Sequence, residues 1–305
     1  MLLRRKLFRS GFFLLIFLGS IALASCAGRS ETSRLVRAQF REGFVVTLHP
    51  EGAPFPQERR RDGYTYEDTE YSFREHYDDS TVKVFFPGNW KENGPVNLVF
   101  FFHGWFSSIS DEITRFHLLS QFRESRVNAL LVLPETAKDA PDSFGGKLEY
   151  RDGFRTLVEE VMHSLHQAGL VGTEKVNHIV LAGHSGAYHV ISQILSRGGL
   201  TSHIKDVMLF DALYGDLEDF AQWVASRQGH LYSVFTQDSD TIGYNFSLID
   251  DLAREGVPLL LEEEKEEDRL PPHGVRAVFY RSRLDHYQVV DAESQFEKLL
   301  KTACR

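Results

Sequence analysis

Of all the residues in this chain that could do chemistry, Ser185 stands in the most telling surroundings. An apolar run, Ile179 to Ala182, breaks at Gly183-His184-Ser185-Gly186-Ala187, and a stretch of helical pattern follows. The pattern predicts a strand, a sharp turn with Ser185 at its apex, and a helix. A serine hydroxyl is a poor nucleophile unless it is held exposed beside a base. Small neighbours let the chain turn tightly at such a serine. The backbone N–H that follows it, here that of Gly186, points to where an oxyanion would develop.

For Ser185 to be held in this way the chain needs a rigid frame, and its hydrophobic pattern supplies alternating strands and helices. Strands are predicted at Val45–Leu48, Thr81–Phe86, Val96–Phe102, Ala129–Leu133, Ile179–Ala182, Val207–Phe210, Leu231–Phe235 and Val275–Tyr280. One helix is predicted over Asp111–Ser125, with Ile113, Phe116, Leu119 and Phe122 on one face and Ser108 or Ser110 to cap it. Others are predicted over Phe154–Gly169, Tyr188–Ser196 (ended by Gly198-Gly199), Leu217–Arg227, Phe246–Glu255 and Ala292–Lys301. His49–Asp62 and Glu135–Glu149 contain Pro, Gly and charge and read as loops. This alternation argues for an α/β domain with a mostly parallel sheet covered on both faces. No internal repeat or second domain is discernible.

Ligands of open α/β sheets bind beyond the carboxyl ends of the strands, so the residues that follow each strand are the candidates. They are His103-Gly104-Trp105 after Phe102, Asp211 after Phe210, Asp238 and Asp240 after Phe235, and Asp285 and His286 after Tyr280. Read without further context, His103-Gly104-Trp105 is an ordinary strand-end turn with a packing tryptophan, and His286 is one of 13 histidines. Two other clusters read as solvated surface. His163 and His166 have helical spacing but no third ligand nearby in sequence. Glu262–Asp268 is an acidic run typical of a loop or helix edge. No Gly-rich phosphate loop, CxxC pair or HExxH occurs, so neither cofactor nor metal is expected.

The strand, the Gly183-x-Ser185-x-Ala187 turn and the helix after it resemble the α/β-hydrolase superfamily of serine esterases and lipases. So do the His103-Gly104 pair two strands earlier and His286 before the last helix. The resemblance spans about residues 80–303. Its departure is Ala187, where the motif ends in glycine, but alanine is still small enough for a helix to pack near a strand. The resemblance implies an α/β-hydrolase fold opened by N-terminal antiparallel strands, with Ser185 as nucleophile and His286 as base. The Gly186 and Trp105 backbone N–H groups would hold the oxyanion. For the acid, Asp211 is preferred, because a carboxylate ending an apolar strand is partly buried and needs a partner. The alternatives are Asp240 or Asp238, at the commoner place in the superfamily, with Asp285 behind them. The implied reaction is ester hydrolysis through an acyl-enzyme. A peptidase or amidase acting on envelope material would use the same residues, and a non-catalytic hydrolase-like binding lipoprotein is the other alternative.

The N-terminus reads as an address. Arg4, Arg5, Lys6 and Arg9 form a basic region, Phe12–Ala24 an apolar one too short for a typical membrane span, and Leu23-Ala24-Ser25-Cys26 closes it. This resembles a bacterial lipoprotein signal, which implies cleavage after residue 25 and lipidation of Cys26 by several acyl chains, enough for a stable anchor. Residues 26–40 would then be a tether and 41–305 the folded domain. Ala27 differs from the aspartate that retains some lipoproteins in the inner membrane, so the outer membrane is favoured. With Cys26 lipidated, Cys304 has no intramolecular partner and no disulfide framework is expected. The chain has 34 basic and 43 acidic residues. The signal removes only basic ones, which makes nucleic acid or anionic lipid an unsuitable direct partner.

Overall fold

The computed structural model describes residues 35–226, 229–237, 239–263 and 273–303. Cys26, Asp238, Cys304, the signal-like segment and residues 264–268 of the acidic run lie outside the described residues. The strands are β1 (Val36–Gln39), β2 (Gly43–Leu48), β3 (Tyr64–Tyr66), β4 (Thr69–Tyr71), β5 (Val82–Pro87), β6 (Val96–Phe102), β7 (Leu130–Pro134), β8 (Val176–His184), β9 (Ile204–Phe210), β10 (His230–Thr236), β11 (Leu259–Glu263) and β12 (Ala277–Ser282). The helices are α1 (Phe73–His76), α2 (Ile109–Arg115), α3 (Leu118–Ser125), α4 (Gly153–Gln167), α5 (Tyr188–Arg197), α6 (Leu217–Ala225), α7 (Thr241–Arg254), α8 (Gln288–Asp291) and α9 (Gln295–Ala303).

Ten strands form one sheet in the order β1-β2-β5-β7-β6-β8-β9-β10-β12-β11. β1, β2 and β5 pair antiparallel, β5 pairs antiparallel with β7, and every pairing from β7 onward is parallel. The apolar runs β6 to β10 occupy the middle, as expected for strands buried on both faces. Along β6 the pleat sends Phe100 and Phe102 into one core and Val99 and Phe101 into the other. The first core is sealed by α4 to α7 through residues such as Leu157, Ile191, Phe220 and Leu248. The second is sealed by α3 and α9 through Leu119, Phe122, Phe296 and Leu299.

The chain runs from β6 outward to β7, then crosses back over β6 to β8 and continues the other way. Such a reversal leaves a crevice beyond the carboxyl ends of β6 and β8. A third, smaller cluster packs Phe55 and Tyr77 against Phe144, with Tyr64, Tyr71 and Phe73 around them. Arg60 ties it together, pairing with Asp142 (2.6 and 3.1 Å) under the faces of Tyr64 and Phe144.

Three expectations need correction. The tether does not extend to residue 40: β1 already pairs with β2, Arg37 opposite Val46, and the Arg37 guanidinium lies over Phe44. An edge strand held by backbone bonds needs no apolar alternation, and all four residues of β1 are exposed. The helix expected over Asp111–Ser125 is two, α2 and α3, broken at His117, whose φ of 48° is left-handed. The break lets Phe116, Leu118, Leu119 and Phe122 all be buried; Ser108 caps α2 by accepting the Asp111 N–H. The start of the acidic run is neither loop nor helix edge, because Glu262 and Glu263 belong to the edge strand β11.

Candidate active site

Strand register decides what meets at the carboxyl edge. Phe102 pairs with Gly183, His184 with Phe210, Phe210 with Val234, and Thr236 with Ser282. His103, Ser185 and Asp211 are therefore the first residues beyond three adjacent strands. His286 returns over the sheet edge from the loop after β12.

Ser185 has φ 55° and Asp211 φ 44°, both in the left-handed region that a residue with a Cβ enters only when its surroundings impose it. Two glycines make the turn possible. A Cβ on Gly104 would lie 2.6 Å from Ser185 Cβ, so only glycine lets the His103-Gly104-Trp105 loop approach the elbow this closely. A Cβ on Gly183 would lie 2.7 Å from Ala187 Cβ. The methyl that replaces the motif's last glycine thus rests in the space left by Gly183, and the departure at Ala187 is absorbed locally.

Asp211 is 0% exposed, and four donors converge on its carboxylate. They are His286 Nδ1–H at 2.6 Å, Thr241 Oγ1–H at 2.5 Å, and the Thr236 N–H and Oγ1–H at 3.2 Å each. Burial works to raise its pKa, but hydrogen bonds from His286, Thr241 and Thr236 outweigh burial and hold the carboxyl below its ordinary range. An ionised Asp211 requires the proton on His286 Nδ1, which leaves Nε2 of the neutral ring unprotonated and able to act as a base. The structure records no hydrogen bond between Ser185 Oγ and Nε2; such bonds often tighten only on a bound substrate.

His184 holds this histidine from behind. Its Nε2–H donates to the His286 carbonyl at 2.7 Å, and the two rings lie 4.5 Å apart. Burial, aided by the nearby His286, pushes the His184 pKa down to about 3, so the ring stays a neutral donor.

On the oxyanion side, the Phe106 N–H donates to Ala140 O (3.1 Å), whereas the Trp105 N–H meets no backbone acceptor among the described residues. The Trp105 Nε1–H donates to Ser143 Oγ at 2.7 Å. Beneath this loop lie buried polar groups. His103 Nε2 accepts the Thr136 N–H (3.1 Å) and lies 3.0 Å from Glu135. Glu112 accepts the Ser107 hydroxyl (2.6 Å), and burial pushes its pKa up to about 7.

A second histidine–carboxylate cluster stands beside the first. His189 Nδ1 lies 2.6 Å from Asp216 and Nε2 3.1 Å from Glu149. It links α5, the loop after β9 and the end of the 135–149 segment.

The structure thus brings together Ser185, His286, Asp211, Trp105 and Gly186. Of the described alternative acids, neither Asp240 nor Asp285 is recorded in a hydrogen bond with His286. Asp240 is exposed at the start of α7. Asp285 accepts the N–H groups of Tyr287 and Gln288 at 2.9 and 2.8 Å. His163 and His166 are exposed and share Glu174 (3.0 and 3.1 Å). Among the described residues no group of three His, Cys, Asp or Glu side chains is arranged to hold a metal ion.

Sequence reasoning expected His184 to pack or hydrogen-bond locally and missed its distant partner His286, the anchoring of Asp211 by Thr236 and Thr241, and Ser143, Tyr188 and Tyr214. The last three line a cavity of about 260 Å³ with Trp105, Ser185 and Gly186. Two of them had a usable signal: Tyr188 directly follows the elbow, and Tyr214 shares the loop of Asp211.

Comparisons agree with this architecture. No protein-family model matches the chain, and no curated protein matches it in sequence. Among solved structures it is similar to the S-formylglutathione hydrolase of Agrobacterium tumefaciens, with TM-score 0.52 and 10% identity over 88% of this chain and 99% of that one. It is similar to fluorophosphonate-binding serine hydrolase F of Staphylococcus aureus, with TM-score 0.51 and 14% identity over 85% and 99%. It is also similar to the feruloyl esterase module of Clostridium thermocellum, with TM-score 0.50 and 10% identity over 74% and 83%. The chain has the α/β-hydrolase fold.

Proposed function

We propose that this chain is a serine hydrolase that cleaves carboxylic esters through an acyl-enzyme. One observation carries the reading: Ser185 stands on a left-handed turn one strand away from a buried Asp211 whose carboxylate binds His286 Nδ1 at 2.6 Å. Ser185 Oγ attacks the ester carbonyl carbon while His286 Nε2 takes the hydroxyl proton. Asp211, kept ionised by its hydrogen bonds, stabilises the resulting imidazolium. The Gly186 and Trp105 N–H groups receive the oxyanion, each such donor contributing about 2.7–4 kcal/mol of transition-state stabilisation. Collapse breaks the ester C–O bond, and the departing alkoxide takes the proton from His286. Water then repeats the sequence and returns the acid and free Ser185. An ester is favoured over an amide by fold-level analogy with neighbours named as an esterase and an S-formylglutathione hydrolase.

We read the site of action as the bacterial cell envelope, with the protein held by lipid on Cys26 and the outer membrane favoured. The support is the basic n-region, the short apolar stretch and the Leu23-Ala24-Ser25-Cys26 tetrapeptide.

A fluorophosphonate probe tests the enzyme. The purified protein should be labelled on Ser185 and should hydrolyse p-nitrophenyl acetate, and the Ser185→Ala variant should do neither. A folded, unlabelled and inactive protein would sink the proposal. Cys26→Ser should move the protein out of the membrane fraction of an expressing cell.

A further inference from the structure

The site has two chambers that share Tyr214 as a wall and differ in chemistry. The first, of about 260 Å³, holds Ser185 and Gly186. Three aromatic rings wall it: Trp105, Tyr188 and Tyr214, the last two with centroids 6.1 Å apart. Besides the two tyrosine hydroxyls its other polar side chain is Ser143, which accepts the Trp105 Nε1–H. Tyr66 packs edge-on against Trp105 at 5.5 Å and backs that wall. The second chamber, of about 440 Å³, holds His286 and is lined by Ser239, Asp240, Arg283 and Asp285 beside Tyr214.

The reaction proposed above assigns each chamber a half of the substrate. The carbonyl oxygen must sit at the Gly186 N–H, so the acyl group extends along the chamber that contains Gly186. The leaving alkoxide must reach His286 to be protonated, so the alcohol half lies in the chamber that contains His286. The acyl chamber is an open cleft of about 260 Å³ whose rings flank a short chain or a single aromatic ring, and a sixteen-carbon chain would run out of it into solvent. Flat aromatic walls add offset or edge contacts to a ring that they do not add to an alkyl chain. Hydroxyls, a guanidinium and two carboxylates in the other chamber supply both donors and acceptors to an alcohol rich in polar groups.

We infer that the substrate joins a short or aryl acyl group to a polar, hydroxyl-bearing alcohol and is not a long-chain lipid ester. This inference rests on the serine-hydrolase reading.

The test uses the full-length protein, with fluorophosphonate labelling to count working sites. p-Nitrophenyl acetate, butyrate, benzoate, octanoate and palmitate vary the acyl half. Methyl benzoate and 2,3-dihydroxypropyl benzoate vary the alcohol. kcat/KM should fall about 100-fold or more from butyrate or benzoate to palmitate, and the dihydroxypropyl ester should exceed the methyl ester about tenfold. Tyr188→Ala removes one acyl wall and should move the optimum toward octanoate, and Tyr188→Leu gives the same direction where the alanine variant fails to fold. A labelled enzyme that prefers palmitate, or methyl over dihydroxypropyl benzoate, overturns the inference and leaves the hydrolase standing. A folded protein that is not labelled overturns the hydrolase reading, and the inference falls with it.

Discussion

Two histidine–aspartate pairs sit side by side on the loop after β9, and only one of them has the arrangement of a base. His286–Asp211 and His189–Asp216 have the same Nδ1–Oδ2 distance, 2.6 Å. Their other sides differ. His286 lines a chamber, and among the described residues its one recorded carboxylate contact is through Nδ1. His189 has Glu149 at 3.1 Å from Nε2. Hydrogen bonds donated to Asp216 and then to Glu149 raise the His189 pKa to about 10, so both its nitrogens carry protons and both are given away. A ring in that state has no lone pair to offer a serine proton. It is a clamp between α5, the loop of Asp211 and the 135–149 segment. A carboxylate beside a histidine is therefore not enough to make a base; the second nitrogen must be left open.

The largest effect separates the two rings. His286→Ala should lower kcat by about 10⁵–10⁶-fold, whereas His189→Ala should change kcat by no more than about tenfold and lower the melting temperature. Steady-state kinetics beside thermal melts checks both, and equal losses of kcat would break the comparison. The acids come next. Asp211→Asn should lower kcat by roughly 10⁴-fold with the fold intact, because the imidazole loses its orienting charge. Asp216→Asn, at a part-exposed pair, should cost about 1 kcal/mol of stability and little kcat. The smallest effect sharpens the clamp. The folded-state pKa of His189 lies above its ordinary value of 6.5, so its contribution is complete below about pH 6.5 and is lost as pH rises through about 10. Melting temperatures from pH 7 to 10 should fall by more in the wild type than in His189→Gln; parallel curves would refute the clamp.

Much of this was legible in one dimension. The central strands announced themselves as apolar runs because a parallel sheet buried on both faces needs continuous hydrophobicity. Asp211 stood out because a charge ending such a run must be partnered. The hairpin β3–β4 and the edge strand β11 were not legible, because short, half-exposed strands are held by backbone bonds that any side chain permits. The break at His117 was also hidden. A pattern shows that residues 111–125 bury one face, but the supporting surface decides where the helix must turn.

The sequence by itself determined the parts and their order: a strand–serine–helix turn, a histidine before the last helix, an aspartate at a strand end, and a sheet to carry them. Each depends on neighbours in the chain or on the period of burial. Only the tertiary structure decided which aspartate meets His286, that His184 braces it, and that Glu149 disarms His189. These contacts join residues 75, 102 and 40 positions apart, respectively. Ring nitrogens gain or lose a role through what lies within about 3 Å of them, and the register of the sheet, not the spacing of the chain, sets that neighbourhood.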